Sequence, residues 1–259
     1  MATEGTLLIL RYWDCRGRGE PIRLLLADAL GDPVVDAAAQ RPAGLAWVDE
    51  YVVLASARET WPAAKSDPAI SGVHGTLPVL EWDGFAINQT LACATAAAAA
   101  VGRSGDGPHA MTRGLSVAQL CYEDLSVQLF MAVWERPGKD AAFVRGSGRE
   151  GLNVAGKLLI LENITASISP CEFLGGELPG IGDVFVLTAV DAVVYVFGEE
   201  GGKVLLEPCP AVCALVRALE ARPGIQAQRA RAPKRFTGYP DEERTVAALR
   251  KDLAEMRSR

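Results

Sequence analysis

The chain has 259 residues, 49% of them hydrophobic and 22% charged, with a formal net charge of −6 at pH 7. That length supports one large globular domain or two modest ones, and the acidic balance argues against a broad nucleic-acid surface. Near the N-terminus Glu4 and a short apolar run ending at Arg11 give neither a secretory leader nor a membrane span, so a cytoplasmic location with mostly reduced cysteines is expected.

In chain order, TLLIL (Thr6 to Leu10) reads as a strand and Glu20 to Leu30 as a helix, with Pro21 in its first turn where no intrahelical N–H bond is lost. The stretch between them, RYWDCRGRG, therefore faces the positive end of a helix, a natural place to hold an anion or a thiolate. A Pro/Ala-rich stretch leads to a second strand over Val48 to Leu54 and a short helical segment near ETWPAAK. In LPVLEWDGFAIN two apolar runs flank Asp83-Gly84, a strong hairpin signal, and Gln89 to Val101 follows as an alanine-rich helix. The order β-α-β, loop, β-hairpin, α is that of a thioredoxin-like α/β domain over 1–101.

GRSGDGPH (Gly102 to His109) reads as a polar linker. Beyond it, Leu115 to Trp134, Gly151 to Ser169, Asp183 to Phe197 and Ala211 to Arg222 all have helical periodicity, which predicts an all-α domain over 110–236. The tail, 237–259, carries Val246, Leu249, Leu253 and Met256 on one face of an amphipathic helix that folds back on its own domain or docks a protein partner.

Other signals carry less. The cysteines Cys15, Cys93, Cys121, Cys171, Cys209 and Cys213, with His74 and His109, show no metal-ligand spacing, so no metal is expected. The G-x-G-x-x-G match over 146–151 lacks a flanking βαβ unit and reads as an interhelical loop. The sequon Asn163-Ile164-Thr165 matters only on a secretory route. Cys15, beside the helix start, is a candidate redox thiol.

An α/β domain followed by an all-helical one resembles the cytosolic glutathione transferases of the tyrosine type, sigma-like or alpha/mu/pi-like. RYWDCRGRGEPIRLLL is similar to that family's first strand and helix, GTLPVLEWDGFAINQTLA to its cis-proline strand, hairpin and following helix, and RALEARPGIQAQRA to a late helical segment. The resemblance implies that Tyr12 donates to the sulfur of glutathione and Arg18 tunes its surroundings. It further implies that Leu77, before Pro78, offers its backbone to the cysteinyl unit, that Gln89 and Thr90 hold the γ-glutamyl carboxylate, and that Trp61 and Lys65 approach the glycyl end. Glutathione enters as co-substrate, the acceptor is a small hydrophobic electrophile lined by residues around Tyr122 to Trp134, and a homodimer is implied.

Departures from the family pattern support an alternative, a glutathione transferase-like structural subunit of a larger assembly with little or no catalysis. Thr76 stands where Lys or Gln is common, Thr95 and Ala96 replace an Arg and an aromatic, the stretch between the first helix and the second strand is longer than usual, and the tail is added. Two milder departures are Thr90 for Ser, which keeps the hydroxyl, and Gly180 in place of the hydroxyl of a helix cap completed by Asp183.

Overall fold

The computed structural model describes residues 5–34, 44–53, 57–134, 152–168, 173–233, 236, 243, 246–248 and 250–251. By internal contacts the chain divides into two compact units, 1–104 with 220–238 and 105–219 with 239–259.

In the first unit a four-stranded sheet has the order β2-β1-β3-β4. Strand β1 (Leu7–Trp13) buries Leu8, Leu10 and Tyr12 on one face, the period-2 pattern of a strand whose two sides differ in covering. It runs parallel to β2 (Ala46–Val52), as a helical crossover requires, and that crossover contains α1 (Glu20–Leu30). Ile22, Leu24, Leu25 and Leu26 of α1 are fully buried, and Trp47 of β2 donates its indole N–H to the Gly31 carbonyl that ends the helix, at 2.9 Å. Helices α2 (Ala57–Ser66) and α3 (Pro68–Ser71) follow. Strands β3 (Val79–Trp82) and β4 (Phe85–Asn88) form the hairpin expected from Asp83-Gly84, both of which have positive φ, 49° and 79°. Helix α4 (Thr90–Ala100) completes the thioredoxin-like order.

The second unit is helical among its described residues, apart from one isolated bridge between Phe173 and Gly176. Helix α5 (Pro108–Gln119) begins inside the stretch read as a linker, because Pro108 suits a first helical turn. It continues through a π-helical segment, 120–127, into α6 (Gln128–Trp134). Helix α7 (Val154–Ala166) precedes the long α8 (Ile181–Leu206), which is interrupted at Gly198, where φ is 73°. By length and composition α8 could cross a membrane, yet 78% of its most apolar window is buried inside the protein, as in the core helix of a soluble domain. Its approach to α5 is close: a Cβ on Gly182 would lie 3.1 Å from the Gly114 Cα.

Helix α9 (Pro210–Glu220) starts on the Glu162 carboxylate, whose oxygens accept the Ala211 and Val212 N–H groups at 3.0 and 2.9 Å. Helix α10 (Pro223–Arg231) is separate from α9 and packs on α1 in the first unit. The contact is tight because Gly224 has no side chain: a Cβ there would sit 2.2 Å from the Ala27 carbonyl oxygen. In the tail Glu243, Val246–Ala248 and Arg250 are helical, Val246 is buried, and the Arg250 guanidinium donates to the Tyr195 carbonyl of α8. The 146–151 motif and Cys171 lie outside the described residues.

Candidate glutathione site

Three strand ends converge at one edge of the sheet. Arg11 pairs with Val79 and Val79 pairs with Asn88, so the end of β1, the start of β3 and the end of β4 lie side by side. Tyr12 near the end of β1, Leu77-Pro78 just before β3 and Gln89-Thr90 just after β4, far apart in sequence, lie at this same end of the sheet. Tyr12, Cys15, Leu77 and Val79 pack into one buried group with the half-buried Trp13, Val52, Trp61 and Ala86 against it.

Tyr12 is 5% exposed. Its hydroxyl accepts the Arg18 backbone N–H at 2.9 Å, from the 3-10 turn (Gly17–Gly19) that leads into α1. The turn fits over the ring because glycines flank Arg18 in it: a Cβ would come within 2.7 Å of the Tyr12 oxygen at Gly17 and 2.6 Å of the ring at Gly19. Burial raises the phenol above the ordinary tyrosine range, so it stays protonated at neutral pH. A neutral phenol that accepts an N–H still has its own proton to donate, and the helix start adds positive potential at the same point. The Arg18 side chain is half-buried.

The Leu77–Pro78 peptide is cis. Leu77 lies two residues before the ladder begins at Val79, so its backbone N–H and C=O stand outside the β1–β3 pairing. Trp61, on α2, meets Trp13 edge-on with ring centroids 4.8 Å apart, and Lys65 on the same helix is exposed, its stem passing Gly75. Gln89 is exposed, occupies the N-cap position of α4 at φ 75°, and makes no capping bond, while Thr90 is buried as the first helical residue. A positive φ at a non-glycine residue costs energy, and such residues gather at ligand clamps.

Sequence reasoning missed the group that holds the turn together. Arg23, fully buried, donates from Nε to both Asp49 oxygens at 3.0 and 2.8 Å, and from its other nitrogens to the carbonyls of Trp13 and Cys15 at 3.2 and 2.8 Å. Glu20 lies 3.7 Å away, and the guanidinium carbon is 5.6 Å from the Tyr12 ring centroid and 4.7 Å from that of Tyr51. The available signal was a charge set among apolar residues in each of two segments, Arg23 in IRLLLADAL and Asp49 in AWVDEYV. Equally unforeseen, Gly17 donates its N–H to the Phe236 carbonyl at 2.7 Å and Arg16 Nε reaches the Pro233 carbonyl at 3.3 Å, so the segment after α10 fastens the turn from outside.

The other candidates are buried or held by local contacts. Cys15 is fully buried. Burial pushes the Cys93 thiol up to about 12. Tyr122 is occupied by an edge-on contact with Phe185, 5.9 Å between centroids, and Thr95 Oγ1 turns back to the Leu91 carbonyl at 2.7 Å. Among the described residues no three His, Cys, Asp or Glu side chains gather as a metal site would require.

No protein-family model matches the chain, and no curated protein does. Solved structures match it over most of its length. The glutathione S-transferase of Ascaris lumbricoides aligns with 90% of this chain and 100% of its own at 22% identity and a TM-score of 0.66. The Pi-class glutathione S-transferase of Onchocerca volvulus aligns with 90% and 99% at 17% identity and 0.65. A Nu-class GST from Haemonchus contortus aligns with 88% and 98% at 20% identity and 0.61. With the mixed sheet, the cis-proline at its edge and the helical second unit, these matches establish that the chain has the glutathione S-transferase fold.

Proposed function

We propose that the chain binds reduced glutathione at this sheet edge and adds its thiolate to a small hydrophobic electrophile. The observation that carries the reading is the buried Tyr12 hydroxyl, seated on the Arg18 N–H with Leu77 and Trp61 in the same packed group. A free thiol has a pKa of about 8.5, and each unit of lowering takes about 1.4 kcal/mol of selective stabilisation of the thiolate. The Tyr12 O–H, held neutral and aimed by the Arg18 N–H, supplies part of it as a charge-assisted hydrogen bond, and the start of α1 supplies more. The thiol proton passes to water. The thiolate sulfur forms a C–S bond to the electrophilic carbon as the acceptor's π bond or its bond to a leaving group breaks, the displaced electron pair taking up a proton from water. Arg18 adds positive charge near the sulfur, the Leu77 backbone pairs with the cysteinyl unit, Gln89 and Thr90 take the γ-glutamyl carboxylate at the start of α4, and Trp61 and Lys65 face the glycyl carboxylate. On this reading the protein is a soluble cytoplasmic homodimer.

A second reading, a structural subunit with lapsed catalysis, is favoured by the depth of Tyr12, which is only 5% exposed. Calorimetric titration with reduced glutathione separates the two. Saturable binding with an ultraviolet thiolate signal that disappears in Tyr12→Phe supports the transferase, and no binding at millimolar glutathione supports the subunit. If a partner docks on the tail, deletion of 237–259 abolishes its co-purification, and normal co-purification refutes that role.

A further inference from the structure

The resemblance assigns no role to Asn88, yet this side chain joins two parts of the candidate site. It is the last residue of β4 and 6% exposed. Its Nδ2 donates to the carbonyl of Ser71 at 2.8 Å and to that of Thr76 at 2.8 Å. The first acceptor ends α3 and the second lies in the loop from α3 to the cis-proline, where Thr76 immediately precedes Leu77. The same loop is closed on itself, since the Thr76 N–H donates to the Ser71 carbonyl at 3.2 Å and the Gly75 N–H to the Gly72 carbonyl at 3.3 Å. Ser71, fully buried, anchors the far end by donating its hydroxyl to the Lys65 carbonyl at 2.9 Å. On its other side Asn88 is bonded covalently to Gln89, the residue at positive φ.

One amide thus ties the residue before Leu77 to the residue that starts α4. Geometry sets which way the amide points, because its two hydrogens face two carbonyls. The Oδ1 atom is buried without a partner and lies 2.1 Å from where a Gly72 Cβ would stand, so the loop closes over it only because residue 72 is glycine. A buried acceptor left unsatisfied carries a cost, and here it accompanies the two-donor grip on the loop.

We propose that Asn88 is a positioning residue for glutathione binding. It holds the 72–76 loop so that the Leu77 backbone and the Gln89-Thr90 helix start meet the tripeptide together, without touching the sulfur end at Tyr12. The proposal rests on the glutathione reading above and adds a residue through which two of its contacts are coupled.

The test uses the full chain and two variants that release the loop differently. Asn88→Leu keeps the volume and removes the donors, and Gly72→Ala pushes the amide aside from without. Glutathione Kd is measured by calorimetry, the bound thiol pKa by ultraviolet titration, and amide exchange by mass spectrometry on peptides covering 72–77 and 7–18. The expected result in both variants is a Kd raised at least tenfold, an unchanged thiol pKa, and faster exchange confined to 72–77. A general structural defect would shift the thiol pKa together with Kd, and that outcome overturns the proposal, as does wild-type Kd in either folded variant. If wild-type protein does not bind glutathione, the functional reading itself fails. Wild-type binding with an unaltered variant Kd refutes the role of Asn88 alone.

Discussion

Replacing Tyr12 by Phe removes a single oxygen and leaves the ring between the glycine turn and Arg23. Two interactions go with that oxygen, and they are read by different assays. The Arg18 N–H loses the acceptor it meets at 2.9 Å. A net hydrogen bond is worth about 1 kcal/mol, and a donor left dry costs about 1–3 kcal/mol, so the unfolding free energy from urea titration should fall by an amount in that range. The second loss appears only with glutathione bound. A hydrogen bond to a charged group contributes about 1.5–3 kcal/mol, which corresponds to a rise of roughly 1–2 units in the bound thiol pKa. Ultraviolet titration of the complex measures that rise directly, and conjugation rate at neutral pH should fall by about tenfold or more with little change in glutathione affinity. A variant with the wild-type thiol pKa refutes the assignment of Tyr12 as donor to sulfur. A variant that loses affinity in proportion to rate would instead mean that Tyr12 only shapes the binding site.

Three further predictions concern the scaffold. Asp49→Ala leaves the buried Arg23 guanidinium with the backbone carbonyls of Trp13 and Cys15 and the more distant Glu20 carboxylate, and should cost about 3–5 kcal/mol in urea unfolding, more than Arg23→Met with Asp49→Val together; equal costs would refute the pairing argument. Gly224→Ala must lift α10 from the Ala27 carbonyl and should destabilise by about 1–3 kcal/mol in the same assay, with an unchanged midpoint counting against the tight contact. Asp183 is fully buried, and burial raises its carboxyl to about 6 although it accepts the Gly180 and Leu174 N–H groups at 2.8 and 2.9 Å. An acid whose folded pKa exceeds its unfolded value contributes stability at low pH that is lost as pH rises through the folded value. The stability of wild type relative to Asp183→Asn should therefore decline by about 3 kcal/mol between pH 4 and 6 and then level off, and a flat difference would refute it.

Local chemistry made much of the fold legible. Pro21 at a helix start, Asp83-Gly84 between two apolar runs and an alanine-rich segment each specify their element through a few backbone torsions, and each stands where the residues predicted it. The periodicity of the second unit marked its helices, but their limits shifted where packing intervened. Helix α8 resumes after the break at Gly198 and runs to Leu206, burying Gly201 and Gly202 while Glu199, Glu200, Lys203 and Val204 are exposed. The segment read as a late helical phrase resolves into the end of α9 and α10, which is seated on α1 through Gly224.

The candidate site divides along the same line. Tyr12, Arg18, Leu77, Pro78, Gln89 and Thr90 lie in short motifs, so their identity and spacing were on the surface of the sequence. What drew them together is strand register, with Arg11 opposite Val79 and Val79 opposite Asn88, a non-local property that no window of neighbouring residues contains. Arg23 with Asp49, the Phe236 carbonyl on Gly17, and Asn88 between Ser71 and Thr76 are decided wholly by tertiary structure. A charge or an amide in an apolar run is costly until a partner from a distant segment arrives. The sequence by itself determined most of the elements and which residues are candidates for the site. Only the folded chain determined which buried polar groups are paired, because pairing satisfies donors and acceptors that local structure leaves open.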